Sequence, residues 1–159
     1  MSIKLDLQYA CDQQGVPSEQ EFSEWIAAIP LLDHHQDGQQ GHREVVIRIV
    51  DAEEMQALNQ RYRQQNKTTN VLSFVAEMPD IVDDPLLGDV IICASVVKNE
   101  ALEQHKCISS HWAHMVVHGI LHLLGYDHIE SADARIMEQL EIQILQTLSI
   151  NNPYIEKTS

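Results

Sequence analysis

A chain of 159 residues that is 44% hydrophobic and 5% aromatic suits one domain, spanning residues 1–159, with a mostly aliphatic core, and excludes wholesale disorder. Ten Lys and Arg against 24 Asp and Glu leave a formal net charge of −14, which argues against broad, non-specific nucleic-acid binding but leaves room for a small basic patch around one phosphate. Cys11, Cys93 and Cys107 are scattered and form no Cys-x-x-Cys pair, so neither a disulfide framework nor a thiolate zinc site is expected.

The start, Met1-Ser2-Ile3-Lys4-Leu5-Asp6, lacks the basic and apolar regions of a signal peptide. The longest apolar run, Met115 to Leu124, is broken by His118, Gly119 and His122, and falls short of the roughly 18 apolar residues of a membrane span. A cytoplasmic location is expected. Ile3, Leu5 and Leu7 alternate with polar residues as in a half-buried strand. Ser18-Glu19-Gln20-Glu21 fits a capping box, and Phe22, Trp25, Ile26 and Ile29 follow at helical spacing until Pro30. Residues 33–43 are polar, carry Gly38 and Gly41, and read as a loop. Its His34, His35 and His42, beside Asp33 and Asp37, read as loop residues rather than a second metal site.

Glu44 to Val50 reads as a strand, and Asp51 caps a helix whose buried face would be Met55, Leu58 and Tyr62. Val71 to Val75 is a short strand, Met78 to Pro85 a loop, and Leu86 to Cys93 a buried strand entered through Gly88-Asp89. Ser95 to Gln104 reads as a helix. Ser109 or Ser110 would cap the next, which stops at Gly125. Ser131 would cap a last helix with Ile136, Leu140, Ile144 and Leu148 on its apolar stripe and Asn151-Asn152-Pro153 at its end. The order implies an α+β fold: a small mixed sheet of about four strands with five or so helices packed on it.

The chemistry is concentrated in His118-Gly119-Ile120-Leu121-His122-Leu123-Leu124-Gly125-Tyr126-Asp127-His128. Helical residues four apart lie one turn apart on one face, so His118 and His122 can aim two imidazoles at one ion. A third ligand on the same helix would lie too far along the axis. Gly125 ends the helix and lets the chain turn back so that His128 reaches the ion from the side. Three imidazoles with an open position form a catalytic zinc pattern, in which the metal lowers the pKa of a bound water to about 7. Zinc is the first choice, one per chain, with nickel, copper or cobalt able to substitute in vitro. Asp127 could orient a ligand imidazole. His114 and His111, four and seven residues before His118, fall near the same face, where either could be a base, a proton shuttle or a group behind the ligands, or a packed or solvent-facing residue, and His114 is taken as a candidate catalytic residue. The spacing is also that of metzincin proteases, but those carry Glu right after the first His, where this chain has Gly119; that departure weighs against peptide hydrolysis.

The segment His118 to His128 resembles, at every fixed position, the His-Gly-x-Leu-His-Leu-x-Gly-Tyr-Asp-His motif of the YbeY family of endoribonucleases. Leu58 to Arg63, Thr69 to Phe74 and Leu87 to Cys93 are similar to further blocks of that family in the same order, and His111 to Val117 looks like the enterobacterial type. The resemblance runs from about residue 44 to Tyr154, with the first 43 residues matching loosely. Val75 and Thr68 stand where many members have proline. The resemblance implies a reduced zincin-like fold and a single-strand-specific, zinc-dependent endoribonuclease of 16S rRNA 3′-end maturation and ribosome quality control. It implies His118, His122 and His128 as zinc ligands and Arg63 as the important arginine. It also suggests the small ribosomal subunit, one of its proteins and the GTPase Era as partners. Arg63, with His114 a candidate catalytic residue, suits a phosphate clamp because its planar fork matches phosphate geometry. With Arg61 and Lys67, expected RNA contacts, it makes the only tight basic cluster of the chain. Two rival readings are a zincin-type peptidase or amidase, and a non-catalytic ribosome-assembly factor with structural zinc.

Overall fold

The computed structural model describes residues 3–12, 14–30, 43–65, 68–76, 86–126 and 131–154. Strand β1 (Ile3–Tyr9) leads into helix α1 (Glu19–Ala27), followed by β2 (Arg43–Val50), α2 (Ala52–Arg63), β3 (Val71–Val75), β4 (Leu86–Cys93), α3 (Ala94–Glu103), α4 (Ile108–Leu123) and α5 (Ser131–Thr147). The four strands form one mixed sheet in the order β1-β2-β4-β3: β1, β2 and β4 run parallel, and β3 lies antiparallel on the β4 edge. This is the expected α+β architecture.

The local rules explain most of the boundaries. Ser18 and Glu21 close a reciprocal capping box at the start of α1. The Asp51 carboxylate accepts from the Glu54 amide at 2.8 Å and caps α2. Strand β4 is central and apolar on both faces, which is why it reads as a continuous hydrophobic run. Gly88 enters it at φ +146°; a Cβ there would lie 2.2 Å from the Phe74 carbonyl oxygen, so only glycine lets β3 and β4 close at that point.

The sheet has a core on each face. On one, Val45, Ile47, Ile49, Val90 and Ile92 meet the buried residues of α1, α4 and α5. On the other, Val50, Leu72, Ile91 and Cys93 meet Met55 of α2. Although aromatics are few, three of them centre the larger core: Phe22 packs edge-on against Trp25 and Trp112 at 5.5 and 6.0 Å. Helix α4 is sandwiched, with eleven of its sixteen residues buried, so its apolar character extends round most of its circumference.

Four expectations are corrected. Helix α4 begins at Ile108 with Cys107 at the cap position and no side-chain cap, so neither Ser109 nor Ser110 caps it. Ser131 lies inside α5 as its first residue. Tyr62 is exposed and packs its ring against Phe74 at 5.2 Å rather than into the core. On α5 Ile144 is buried and Leu140 and Leu148 pack against the core as expected, but Ile136 is exposed, Met137, Glu141 and Leu145 are buried beside them, and the helix ends at Thr147, before Asn151. Strict four-residue spacing drifts off a 3.6-residue turn, which carries Ile136 off the buried face. Among the described residues no helix is long and apolar enough to cross a membrane.

Candidate metal centre

Helix α4 carries His114, His118 and His122 up one face, one per turn, with successive ring centroids 6.2 and 4.6 Å apart. Its end is a Schellman turn: the Tyr126 amide donates to the Leu121 carbonyl, the Gly125 amide donates to the His122 carbonyl, and Gly125 takes φ +103°. Gly125 therefore ends the helix as expected. His128 and Asp127, just beyond the turn, lie outside the described residues, as do Lys67 and the loop histidines His34, His35 and His42.

His118 is the hinge of the arrangement. Its Nδ1 meets Glu141 Oε1 at 3.0 Å, and its Nε2 lies 3.1 Å from His122 Nε2. Glu141 itself is buried, at 1% exposure, on the inner stripe of α5. Its other oxygen accepts from the Tyr154 hydroxyl at 2.6 Å and contacts His114 Nε2. Burial alone would raise the Glu141 carboxyl, but the hydrogen bonds from His114, His118 and Tyr154 outweigh it and hold the group at about 2. A carboxylate only accepts, so His118 Nδ1 must carry the proton, and in the neutral ring the lone pair is then on Nε2. Two imidazole nitrogens 3.1 Å apart are close enough to share one ion at the usual Zn–N distance of about 2.0–2.1 Å, as two of the three protein ligands of a catalytic zinc site. A second grouping overlaps the first: ligand atoms of His114, His118 and Glu141 lie within 4.8 Å of one another and could also hold a metal.

Gly119 faces the sheet. A Cβ there would sit 2.6 Å from Val90 Cγ1 and 3.3 Å from Ser73 Oγ, and the Ser73 hydroxyl donates to the Gly119 carbonyl at 3.0 Å. Strand β3 is thus pinned beside the histidine turn. Arg63, in the last turn of α2, reaches the same strand: its Nη2 donates to the Ser73 carbonyl at 3.0 Å and its guanidinium lies over the Phe74 ring at 5.5 Å. Arg61 is exposed and lies over Tyr62 at 5.3 Å. A cavity of about 780 Å³ opens between the start of α4 and the segment after α5, against Lys106, His111, His114 and Tyr154. Neither His118 nor His122 lines it, so it is separate from the paired nitrogens.

His111 is buried, with its Nε2 2.9 Å from Glu100 and no partner for Nδ1 among the described residues. Burial lowers its pKa from 6.5, against the pull of Glu100. A depressed folded-state pKa means that its stabilising contribution is complete above the unfolded value and is lost as pH falls through the folded one. Metal-free protein is therefore expected to lose stability as pH falls below the ordinary histidine value of 6.5, and His111→Gln to lose less over the same range. Equal losses of urea midpoint in the two proteins would refute this.

Glu141 and Tyr154 were not singled out from sequence. An acid at position 141, between Leu140 and Ile144 on an otherwise apolar helix face, was the available signal. The family model described as endoribonuclease YbeY matches residues 8–149. The chain belongs to the YbeY endoribonuclease family. Its fold is similar to the solution structure of TM1509 from Thermotoga maritima, at 23% identity and a TM-score of 0.59, over 97% of this chain and 99% of that one. Membership of the YbeY family makes the chain a ribonuclease of rRNA processing, with RNA as substrate.

Proposed function

We propose that this YbeY-family chain is a zinc-dependent, single-strand-specific endoribonuclease, acting in 16S rRNA 3′-end maturation and ribosome quality control. The observation that carries the metal reading is the 3.1 Å pairing of His118 Nε2 with His122 Nε2 ahead of a glycine turn that sends the chain on toward His128. His118, His122 and His128 would hold one Zn²⁺. When bound, the ion supplies Lewis-acid polarisation of phosphate and a water acidic enough to attack near neutral pH. The protein's share is positioning. Arg63 has one N–H committed to the Ser73 carbonyl, which anchors the fork at the β3 edge, where it would present further donors to a phosphodiester oxygen. Arg61 and Lys67 would extend the contact along the RNA backbone. His114 is enclosed against Glu141 and Tyr154, a placement that supports a role behind the ligands. Asp127 would steady a ligand imidazole.

The packing of Gly119 on Val90 disfavours the peptidase reading, because the position that carries the general base in metzincins has no room for a side chain. The net charge of −14 supports delivery by partners, since an acidic surface repels loose RNA. The small subunit, one of its proteins and the GTPase Era are the proposed partners, in the cytoplasm. Arg63→Glu tests the clamp. The variant is expected to remain folded and zinc-loaded while cleavage of single-stranded RNA falls by about 100-fold or more; persistent cleavage in a clean preparation would remove Arg63 from the mechanism. In the same assay, rRNA on small subunits should be cut faster than naked RNA, and equal rates would refute delivery.

A further inference from the structure

We propose that Glu141 is a positioning residue for the metal, fixing the His118 ring and its Nδ1–H tautomer so that Nε2 faces His122. This rests on the reading of His118 and His122 as ligands. The geometry separates this role from that of a ligand. Each Glu141 oxygen is already engaged: Oε1 by His118 Nδ1 at 3.0 Å, Oε2 by the Tyr154 hydroxyl at 2.6 Å and by His114. For Glu141 to ligate an ion together with His118, the His118 Nδ1 would have to give up its proton and turn its lone pair to the carboxylate side. The bond to Oε1 would then be lost. One imidazole cannot donate through Nδ1 to Glu141 and ligate through the same atom, so the two metal groupings exclude each other at His118. The 3.0 Å separation is that of an ordinary N–H···O bond.

The burial of Glu141 supports the same assignment. A carboxylate 1% exposed is costly unless its lone pairs are filled, and here three side chains from α4 and the chain end fill them. Tyr154 and His114 hold the carboxylate, the carboxylate holds His118, and α5 brings Glu141 to the histidine turn of α4. A carboxylate behind a metal-bound histidine sets its tautomer and raises its basicity, and loss of such a partner typically costs 10–100-fold in metal affinity.

The test is Glu141→Gln in the full-length chain, read by competition of Zn²⁺ with a chromophoric chelator and by long-range ¹H–¹⁵N spectra of the zinc-free imidazoles at about pH 8. Zinc-free wild type should show His118 in the Nδ1–H form. In the variant, an amide N–H₂ turned to His118 forces Nδ1 to accept. The expected result is a mixed or Nε2–H tautomer, with Zn²⁺ affinity lowered about 10–100-fold and still one site per chain. Affinity within twofold of wild type overturns the proposal. So does loss of Zn²⁺ as complete as in His118→Ala with an unchanged tautomer, which would make Glu141 a ligand. Should Glu141→Gln fail to fold, the wild-type spectrum still decides: an Nε2–H form of His118 overturns the assignment. Wild-type affinity in both His118→Ala and His122→Ala would instead sink the underlying metal reading, whereas weak binding there with an unaffected Glu141→Gln sinks only this inference.

Discussion

His122→Ala is expected to lose its zinc and to cut single-stranded RNA at least about 1,000-fold more slowly than the wild-type chain. The size follows from what a metal contributes: several kcal/mol of charge stabilisation at the phosphate, at 1.36 kcal/mol per factor of ten. His122 supplies one of the two nitrogens that stand 3.1 Å apart, and the next helical position beyond it on that face is already past the Gly125 turn. His114→Ala provides the contrast. If the metal lies between His118 and His122, removing His114 leaves both donors in place, and the variant should retain about one zinc per chain. If the metal lies instead in the overlapping group of His114, His118 and Glu141, the outcomes exchange: His114→Ala empties the site and His122→Ala does not. Metal content by mass spectrometry, measured beside RNA cleavage on the same preparations, separates the two. Retention of zinc with cleavage within tenfold of wild type in His122→Ala would sink the paired-nitrogen site.

The parts of the fold that follow local rules were legible in the sequence, and the parts set by partners far along the chain were not. The capping box at Ser18, the Asp51 cap, strands β3 and β4, and the glycine stop at Gly125 are each decided within a few residues, and the structure has them where the pattern puts them. The His118 and His122 pairing was readable for the same reason: a spacing of four on a helix is a geometric statement. Glu141 was missed because its meaning depends on α5 docking across α4, 23 residues from His118. An acid on an apolar stripe looks like an error of the stripe until its partners are known. Tyr154 lies 40 residues from His114 and has no periodic context at all. Tyr62 failed differently. Its spacing matched the buried face of α2, but the aromatic contact it finds is Phe74 on the sheet edge, where one side of the ring stays in water. The absent cap of α4 belongs to the same class: a helix buried along most of its length is stabilised by packing and does not need a serine to start it.

Gly119→Glu is expected to yield no folded protein, and Gly119→Ala a folded one whose melting temperature is lower by a few degrees. In most helix interiors glycine to alanine gains about 1 kcal/mol, so a loss here must come from tertiary contact. The contact is specific: the new methyl would lie 2.6 Å from Val90 Cγ1, inside van der Waals distance, against a fully buried valine on the central strand. A β-branched side chain has little rotamer freedom with which to yield. Overpacking of this kind costs about 1–3 kcal/mol, which exceeds the propensity gain, and each net kcal/mol is about 2–4 °C for a chain of this size. A glutamate brings four more heavy atoms and a charge into the seam between α4 and β4, where Val90 and Ser73 leave neither room nor a counter-ion. Calorimetry of the alanine variant and solubility with far-UV circular dichroism of the glutamate variant check the pair. A soluble Gly119→Glu with a near-wild-type transition would mean that α4 does not lie this close to the sheet. The same seam bears on the chemistry: a protease of this histidine spacing keeps its base on the residue after the first histidine, and this chain uses that residue to lay the histidine helix against β4. A peptidase could not be recovered here by restoring one side chain, because the helix would first have to move off the sheet that positions Arg63, Ser73 and the histidines relative to one another.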